Sequence, residues 1–253
     1  MPTKIHLVRH AQGFHNVTRD YSIRDAVLTP KGKEQCRALS STFKYHQEVD
    51  IIFASPLRRT IQTAALSFGP ALSRPDVPFV LHPALQEVGG MGSDKGIADS
   101  KEDLERLLPG LFANDKLGFD VEKIDASGVM EGWNSKQGYW AYEKQAISRR
   151  AADFRSWLYQ RPEAQVVVVT HGAVAHFLTE DWDVEDPMIG TAYHNCEHRE
   201  FVFTAESTTD DAHLVETQES RARRGLDEPE TDPHVLEEMK TMQEQARSEK
   251  APA

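Results

Sequence analysis

Apolar residues along this chain fall into short runs separated by polar stretches, and the runs follow two different periods. Ile5-His6-Leu7-Val8, residues 50–54, Phe79–Leu81 and Gln165–Thr170 are brief and continuous, the pattern of strands rather than of amphipathic helices. The last contains Val166-Val167-Val168-Val169, a β-branched run suited to a central strand covered on both faces. Longer segments between them repeat with helical spacing. Thr29 can cap a helix whose first turn holds Pro30, which predicts a helix over about 31–45 with Cys36, Leu39 and Phe43 turned inward. Further helices are predicted over about 57–67, where Ile61, Ala64, Ala65 and Phe68 align, and over about 139–160 and 173–179. Residues 200–204 and 213–216 read as late strands. From 88 to 138 no period is sustained, apart from a short helix near 102–108.

Strands alternating with helices define an α/β protein. The expected architecture is a three-layer sandwich, a mostly parallel central sheet flanked by helices, with a loop-rich cap insertion at about 88–138. One domain is expected over residues 1–218. Residues 219–253 form a charged C-terminal tail, partly helical or disordered, in which Val235, Met239 and Met242 are spaced as on a helix face.

Charge and cysteine content narrow the function classes. A net charge of −11 lacks the basic footprint of a nucleic-acid binder, so no nucleic-acid partner is expected. The same charge means that an anionic substrate would need a local cationic pocket within a repulsive field. No apolar run approaches the roughly 20 residues of a membrane span, so no membrane partner is expected. Met1-Pro2-Thr3-Lys4 opens onto an apolar run too short for a secretory signal. Cys36 and Cys196 are too few to staple a chain of 253 residues and read as free thiols in a reducing compartment. The cytoplasm is the expected location, with the nucleus the alternative. Nothing in the pattern sets the oligomeric state.

Reactive side chains collect just beyond the predicted strands. Arg9-His10 follows the first, Arg58 lies past the second and His171 ends the valine strand. In open α/β sheets ligands bind beyond the carboxyl ends of the strands, and cationic groups converging there suit a phosphate. The histidines do not read as metal ligands: His10 and His15, like His171 and His176, are five apart, not the i, i+4 of one helical face. Gly89-Gly90-Met91-Gly92 lacks the Gly-Lys-Ser/Thr of a nucleotide loop and reads as a flexible segment at the site mouth.

Four motifs in order carry a resemblance. Leu7-Val8-Arg9-His10-Ala11 with Asn16, Leu28-Thr29-Pro30-Lys31-Gly32 with Gln35, Ser55-Pro56-Leu57-Arg58-Arg59-Thr60-Ile61-Gln62-Thr63-Ala64, and Thr170-His171-Gly172 resemble the signatures of the histidine phosphatase superfamily, its phosphoglycerate mutase-like branch. Leu85-Gln86-Glu87 stands where that family carries its acid. The resemblance implies a phosphatase acting on a phosphate monoester through a phosphohistidine on His10, without metal and without a cofactor. It further implies that Arg9, Asn16, Arg58 and His171 bind the phosphoryl group and that Glu87 is the general acid, with Asp94 the alternative; Arg59 reads as a surface charge. A neutral imidazole is a competent nucleophile near pH 7.

Departures from the mutases favour a hydrolase. The mutases' Glu-Arg-x-Tyr-Gly reads Glu87-Val88-Gly89-Gly90-Met91 here, and Ala11, Gln12 and His15 replace residues common among them. The expected partner is a small phosphorylated substrate or a phosphoprotein. A phosphoglycerate-type mutase and a non-catalytic module that binds phosphorylated ligands are the competing readings.

Overall fold

A computed structural model describes residues 1–180 and 193–224. Its elements run β1 (Lys4–Arg9), α1 (Phe14–Thr18), α2 (Pro30–Thr42), β2 (Ile51–Ala54), α3 (Arg58–Ser67), α4 (Gly69–Leu72), β3 (Phe79–Leu81), α5 (Lys101–Leu111), β4 (Ile124–Asp125), α6 (Lys144–Tyr159), β5 (Gln165–Thr170), α7 (Gly172–Thr179), β6 (His198–Phe203), β7 (Leu214–Glu216) and α8 (Gln218–Arg224). The strands make one sheet in the order β4-β3-β2-β5-β1-β6-β7. From β4 to β1 neighbours are parallel; β6 and β7 run antiparallel at the far edge. The valine strand is central, paired with β1 on one side and β2 on the other.

Alternation along each strand divides the core in two. Ile5, Leu7, Ile51, Phe53, Val166 and Val168 pack against α6 and α7, while Val8, Ile52, Ala54, Val167 and Val169 pack against α3, α4 and α5. The predicted three layers follow from that division. Among the described residues no helix is long and apolar enough to cross a membrane.

Local chemistry explains where elements begin and end. Thr29 caps α2 by accepting from the Gly32 amide at 3.0 Å. The helix stops at Thr42, earlier than predicted, because Phe43 takes extended backbone and drives its ring into the core. The helix predicted over 139–160 breaks at its start: Gly138 has φ +57°, a 3₁₀ turn covers Gly138–Trp140, and α6 begins only after extended Glu143. The insertion is more tightly built than its sequence implies. Its residues Ile124–Asp125 add a strand to the sheet edge, and Trp133, Leu104, Leu108 and Phe112 are buried in the core. At the chain's other end, Ser220 of α8 accepts the Glu200 amide at 3.0 Å, docking the start of the tail on β6. Val235, Met239 and Met242 lie outside the described residues.

Candidate active site

Three parallel strands end together, and the next residue of each is polar: His10 after β1, Ser55 after β2 and His171 after β5. Strand pairing locks the three in register. The His10 amide donates to Thr170 O at 2.9 Å and the Ser55 amide to Val169 O at 3.1 Å. The His10 and His171 rings lie 5.2 Å apart between centroids, both buried.

Hydrogen bonds select the tautomers. His10 Nδ1 lies 2.8 Å from Ala11 O, an acceptor only, so Nδ1 carries the proton and Nε2 carries the lone pair. Ser55 Oγ accepts from the Leu57 amide at 3.3 Å and lies 2.9 Å from His171 Nε2. Where the Ser55 hydroxyl donates to Nε2, His171 carries its proton on Nδ1, a buried nitrogen with no hydrogen-bond partner among the described residues. Burial pushes both imidazoles well below their ordinary range, and the positive charge of Arg59 adds to the effect. Both are neutral at pH 7.

The turn after His10 is pinned to α2. Gln12 donates its amide to Gln35 Oε1 at 2.9 Å, and its carbonyl accepts from the Thr29 amide at 3.0 Å. Gly32 permits that approach, since a Cβ there would sit 2.2 Å from Gln12 O. Thr63 Oγ1 accepts from the Ala11 amide at 2.9 Å. Asn16 uses its Oδ1 to accept from the Gly13 amide at 2.9 Å, capping α1, so the expected phosphate ligand also shapes the turn. His15 follows the same turn and is buried 5.6 Å from the His10 ring, a neighbour that sequence reasoning missed.

The arginines require a correction. Arg9 is buried next to His10 in the chain, with its guanidinium held by Tyr193 O at 2.5 Å. Arg58 is not brought to the histidines. Its side chain is 23% exposed and turns toward the 24–25 loop, with Nε 2.8 Å from Asp25 O and 3.5 Å from Asp25 Oδ2. Arg59, read from sequence as a surface charge, is 1% exposed and is the strongest charge acting on both His10 and His171. The reason is helical geometry: successive residues at the start of α3 point about 100° apart. Arg59 shares a stripe with Gln62 and Thr63, whose side chains bond the Leu28 and Ala11 amides facing the site. Arg59 donates to Ser93 O at 2.5 Å and lies 3.6 Å from Asp94 Oδ1, while its buried Nε has no hydrogen-bond partner among the described residues.

Glu87 is buried, and its Oε1 accepts from the Val88 amide at 3.0 Å and the Val174 amide at 3.2 Å. The Glu87 carboxyl therefore sits at the first turn of α7, the helix that His171 caps. Asp94, the alternative acid, is committed to Arg59. Lys136 arrives from the insertion, donates Nζ to Glu87 O at 2.6 Å, and its charge reaches His171. Among the described residues, a group with spacing to hold a metal lies elsewhere: His6, His198 and Glu200, with ligand atoms within 4.8 Å of one another, four residues back along β1 from His10.

Comparison with known proteins supplies the context for this geometry. The family model for the histidine phosphatase superfamily (branch 1) matches residues 5–216. An Arabidopsis thaliana phosphoglycerate mutase-like protein is 26% identical, over 89% of this chain and 93% of its own. A Schizosaccharomyces pombe protein named as a probable phosphatase is 23% identical, over 78% of this chain and 88% of its own. The solved structure of Bacillus stearothermophilus YhfR shares the fold with a TM-score of 0.51 and 17% identity, covering 84% of this chain and 95% of that one.

Proposed function

We propose, from the premise that this chain belongs to the histidine phosphatase superfamily, that it hydrolyses a phosphate monoester through a phosphohistidine on His10. One observation carries the reading: His10 presents an unprotonated Nε2 in a buried setting of fixed cations and unpartnered donors, Arg59 Nε and His171 Nδ1. Buried donors without partners are costly, and a phosphoryl group would satisfy them.

In the first step His10 Nε2 attacks phosphorus, and the ester P–O bond breaks as the P–N bond forms. Arg9, Arg59 and His171 Nδ1–H stabilise the charge on the equatorial oxygens, the main source of catalysis in phosphoryl transfer. Asn16, at the mouth of the same turn, is a further donor. Glu87 gives its proton to the leaving alkoxide. In the second step water attacks phosphorus, Glu87 takes the water's proton, and the P–N bond breaks to release phosphate and neutral His10. Two moderate barriers replace one high one. The guanidinium groups supply the positive charge, so neither metal nor cofactor has a role in this scheme.

Water is favoured over a sugar-phosphate acceptor by the residue after Glu87. Val88 is buried and apolar, where a mutase needs charged contacts to retain its bisphosphorylated intermediate. The deciding experiment is hydrolysis of p-nitrophenyl phosphate in EDTA, with acid-quench trapping of labelled phosphohistidine. Activity and label in the wild type, both absent from His10→Ala, are expected. Hydrolysis abolished by EDTA, or phosphate transfer to 3-phosphoglycerate exceeding transfer to water, would overturn the reading.

A further inference from the structure

We propose that Cys36 and Cys196 form a modification site behind the nucleophile, a thiol pair that a peroxide closes to a disulfide, lowering turnover. They are the chain's two cysteines, far apart in sequence, and the fold brings them together. Cys36 is fully buried on α2; Cys196 is partly exposed in the turn before β6. Both belong to one small apolar cluster with Ala11, Leu28 and Leu66. Ser67 Oγ lies 4.0 Å from Cys196 Sγ. The mutual influence of the two thiols holds Cys36 below its ordinary range and pushes Cys196 well above it. Cysteine reacts with peroxide as its thiolate.

The surroundings tie this pair to His10. The Cys196 amide donates to both Arg9 O and His10 O at 3.1 Å, and Asn195 Nδ2 donates to His10 O at 3.1 Å. Arg9 in turn holds Tyr193 O. Residues 193–197 therefore form a strap across the backbone of the two residues proposed to bind and attack phosphorus. Cys196 itself has φ +64°, the left-handed region that side chains other than glycine adopt at a cost. On the other side, Ala11, which packs in the same cluster as Cys36, donates its amide to Thr63 Oγ1.

The oxidation balances with hydrogen peroxide as the oxidant. The thiolate attacks one peroxide oxygen, the O–O bond breaks, and water leaves after taking a proton, giving a sulfenic acid. The second sulfur then attacks that sulfenic sulfur, a second water departs, and the S–S bond forms. The two sulfurs lose two electrons and the peroxide gains them. Bond formation fixes the sulfurs about 2.05 Å apart, pulling the strap toward α2. A displacement of about 1 Å at a reacting centre can cost roughly a hundredfold in rate, so a loss of at least about tenfold is expected.

The test uses the full-length protein, treated with hydrogen peroxide, alkylated and mapped as peptides without reduction, while p-nitrophenyl phosphate hydrolysis is followed. The expected result is a Cys36–Cys196 cross-linked peptide lacking two hydrogens. Activity should fall at least about tenfold in proportion to it and return with dithiothreitol. Cys36→Ser should keep basal activity and lose peroxide sensitivity; Cys36→Ala serves the same purpose should the serine disturb folding. A wild type whose cysteines remain alkylatable, or are oxidised to sulfinic acid without cross-linking, overturns the proposal. So does a cross-link that leaves activity unchanged. The activity readout rests on the phosphatase reading, but the peptide map does not. If hydrolysis is absent from the start, that reading fails while the disulfide is still tested.

Discussion

Strand β1 carries two buried imidazole pairs, and they differ in what their nitrogens do. At its carboxyl end His10 faces His171. Four residues earlier His6 faces His198, with Nδ1 and Nε2 3.0 Å apart, and its own Nε2 lies 3.0 Å from Gln165 Oε1. The inner pair is closed. Its neighbouring carboxylate, Glu200, is neutralised by Lys4 at 3.0 Å and Arg223 at 2.7 Å, and accepts from Tyr45 at 3.2 Å. The outer pair is open: Nε2 of His10 and Nδ1 of His171 are not consumed by the fold, and cations gather there. Burial lowers all four imidazoles, so a shifted pKa does not separate a structural pair from a reactive one. The use of each nitrogen does.

The largest effect should come from exchanging roles across the pairs. His10→Ala should reduce phosphate-ester hydrolysis on the order of a thousandfold or more without unfolding the protein. His6→Gln should change turnover by less than about threefold yet lower stability by about 1–3 kcal/mol, the cost of stranding buried partners. Steady-state kinetics and urea denaturation on the same preparations check both; a catalytic collapse in His6→Gln would erase the distinction.

The adjacent arginines sharpen the contrast. Arg59→Ala should cost about a hundred- to a thousandfold in kcat, as removal of a transition-state donor does. Arg58→Ala should cost no more than a few fold, with stability down by about 1 kcal/mol through lost bonds to the 24–25 loop. Kinetics showing the reverse order would return the phosphate-binding role to Arg58.

Acid should expose the closed pair. The folded values, about 4 for His6 and about 3 for His198, lie below the unfolded value near 6.5. The unfolded chain therefore binds more protons below pH 6.5. This contribution to stability is complete above that pH and is lost as the pH falls toward 4 and below, on the order of 3 kcal/mol for His6 alone. Denaturation at pH 7 and pH 4.5 should show a smaller acid loss in His6→Gln than in wild type.

The smallest effect is a thermal shift. Inorganic phosphate at about ten times its Kd should stabilise the wild type by about 1.4 kcal/mol. His6→Gln should retain that gain in Tm and Arg59→Ala should lose it.

The sheet and its carboxyl-end crevice were legible in the sequence because short apolar runs and the residues ending them are local signals. Gln165–Thr170 and Phe79–Leu81 match the observed strands residue for residue, and His10 and His171 sit where those ends place them. What could not be read depends on rotation or on distant partners. Arg58 and Arg59 are equivalent as letters, and only the stripe through Gln62 and Thr63 tells which faces inward. Ile124–Asp125 is too short for any period, yet parallel pairing with β3 makes it a strand. Lys136 reaches the site only because the insertion returns across it, and Ser55 matters only because β2 and β5 are neighbours.

That anchoring bears on how such a protein can acquire new specificities. The insertion is fixed at one end by β4 and Trp133 in the core and at the other by Ser93 and Asp94 on Arg59. Between them α5 keeps a mostly solvent-facing surface, with Leu104 and Leu108 alone holding it down as fully buried residues. Substitutions along that surface can accumulate while the buried frame around His10 and His171 stays still. Mutational drift is thereby tolerated on that outer face and resisted at the buried anchors on either side of it.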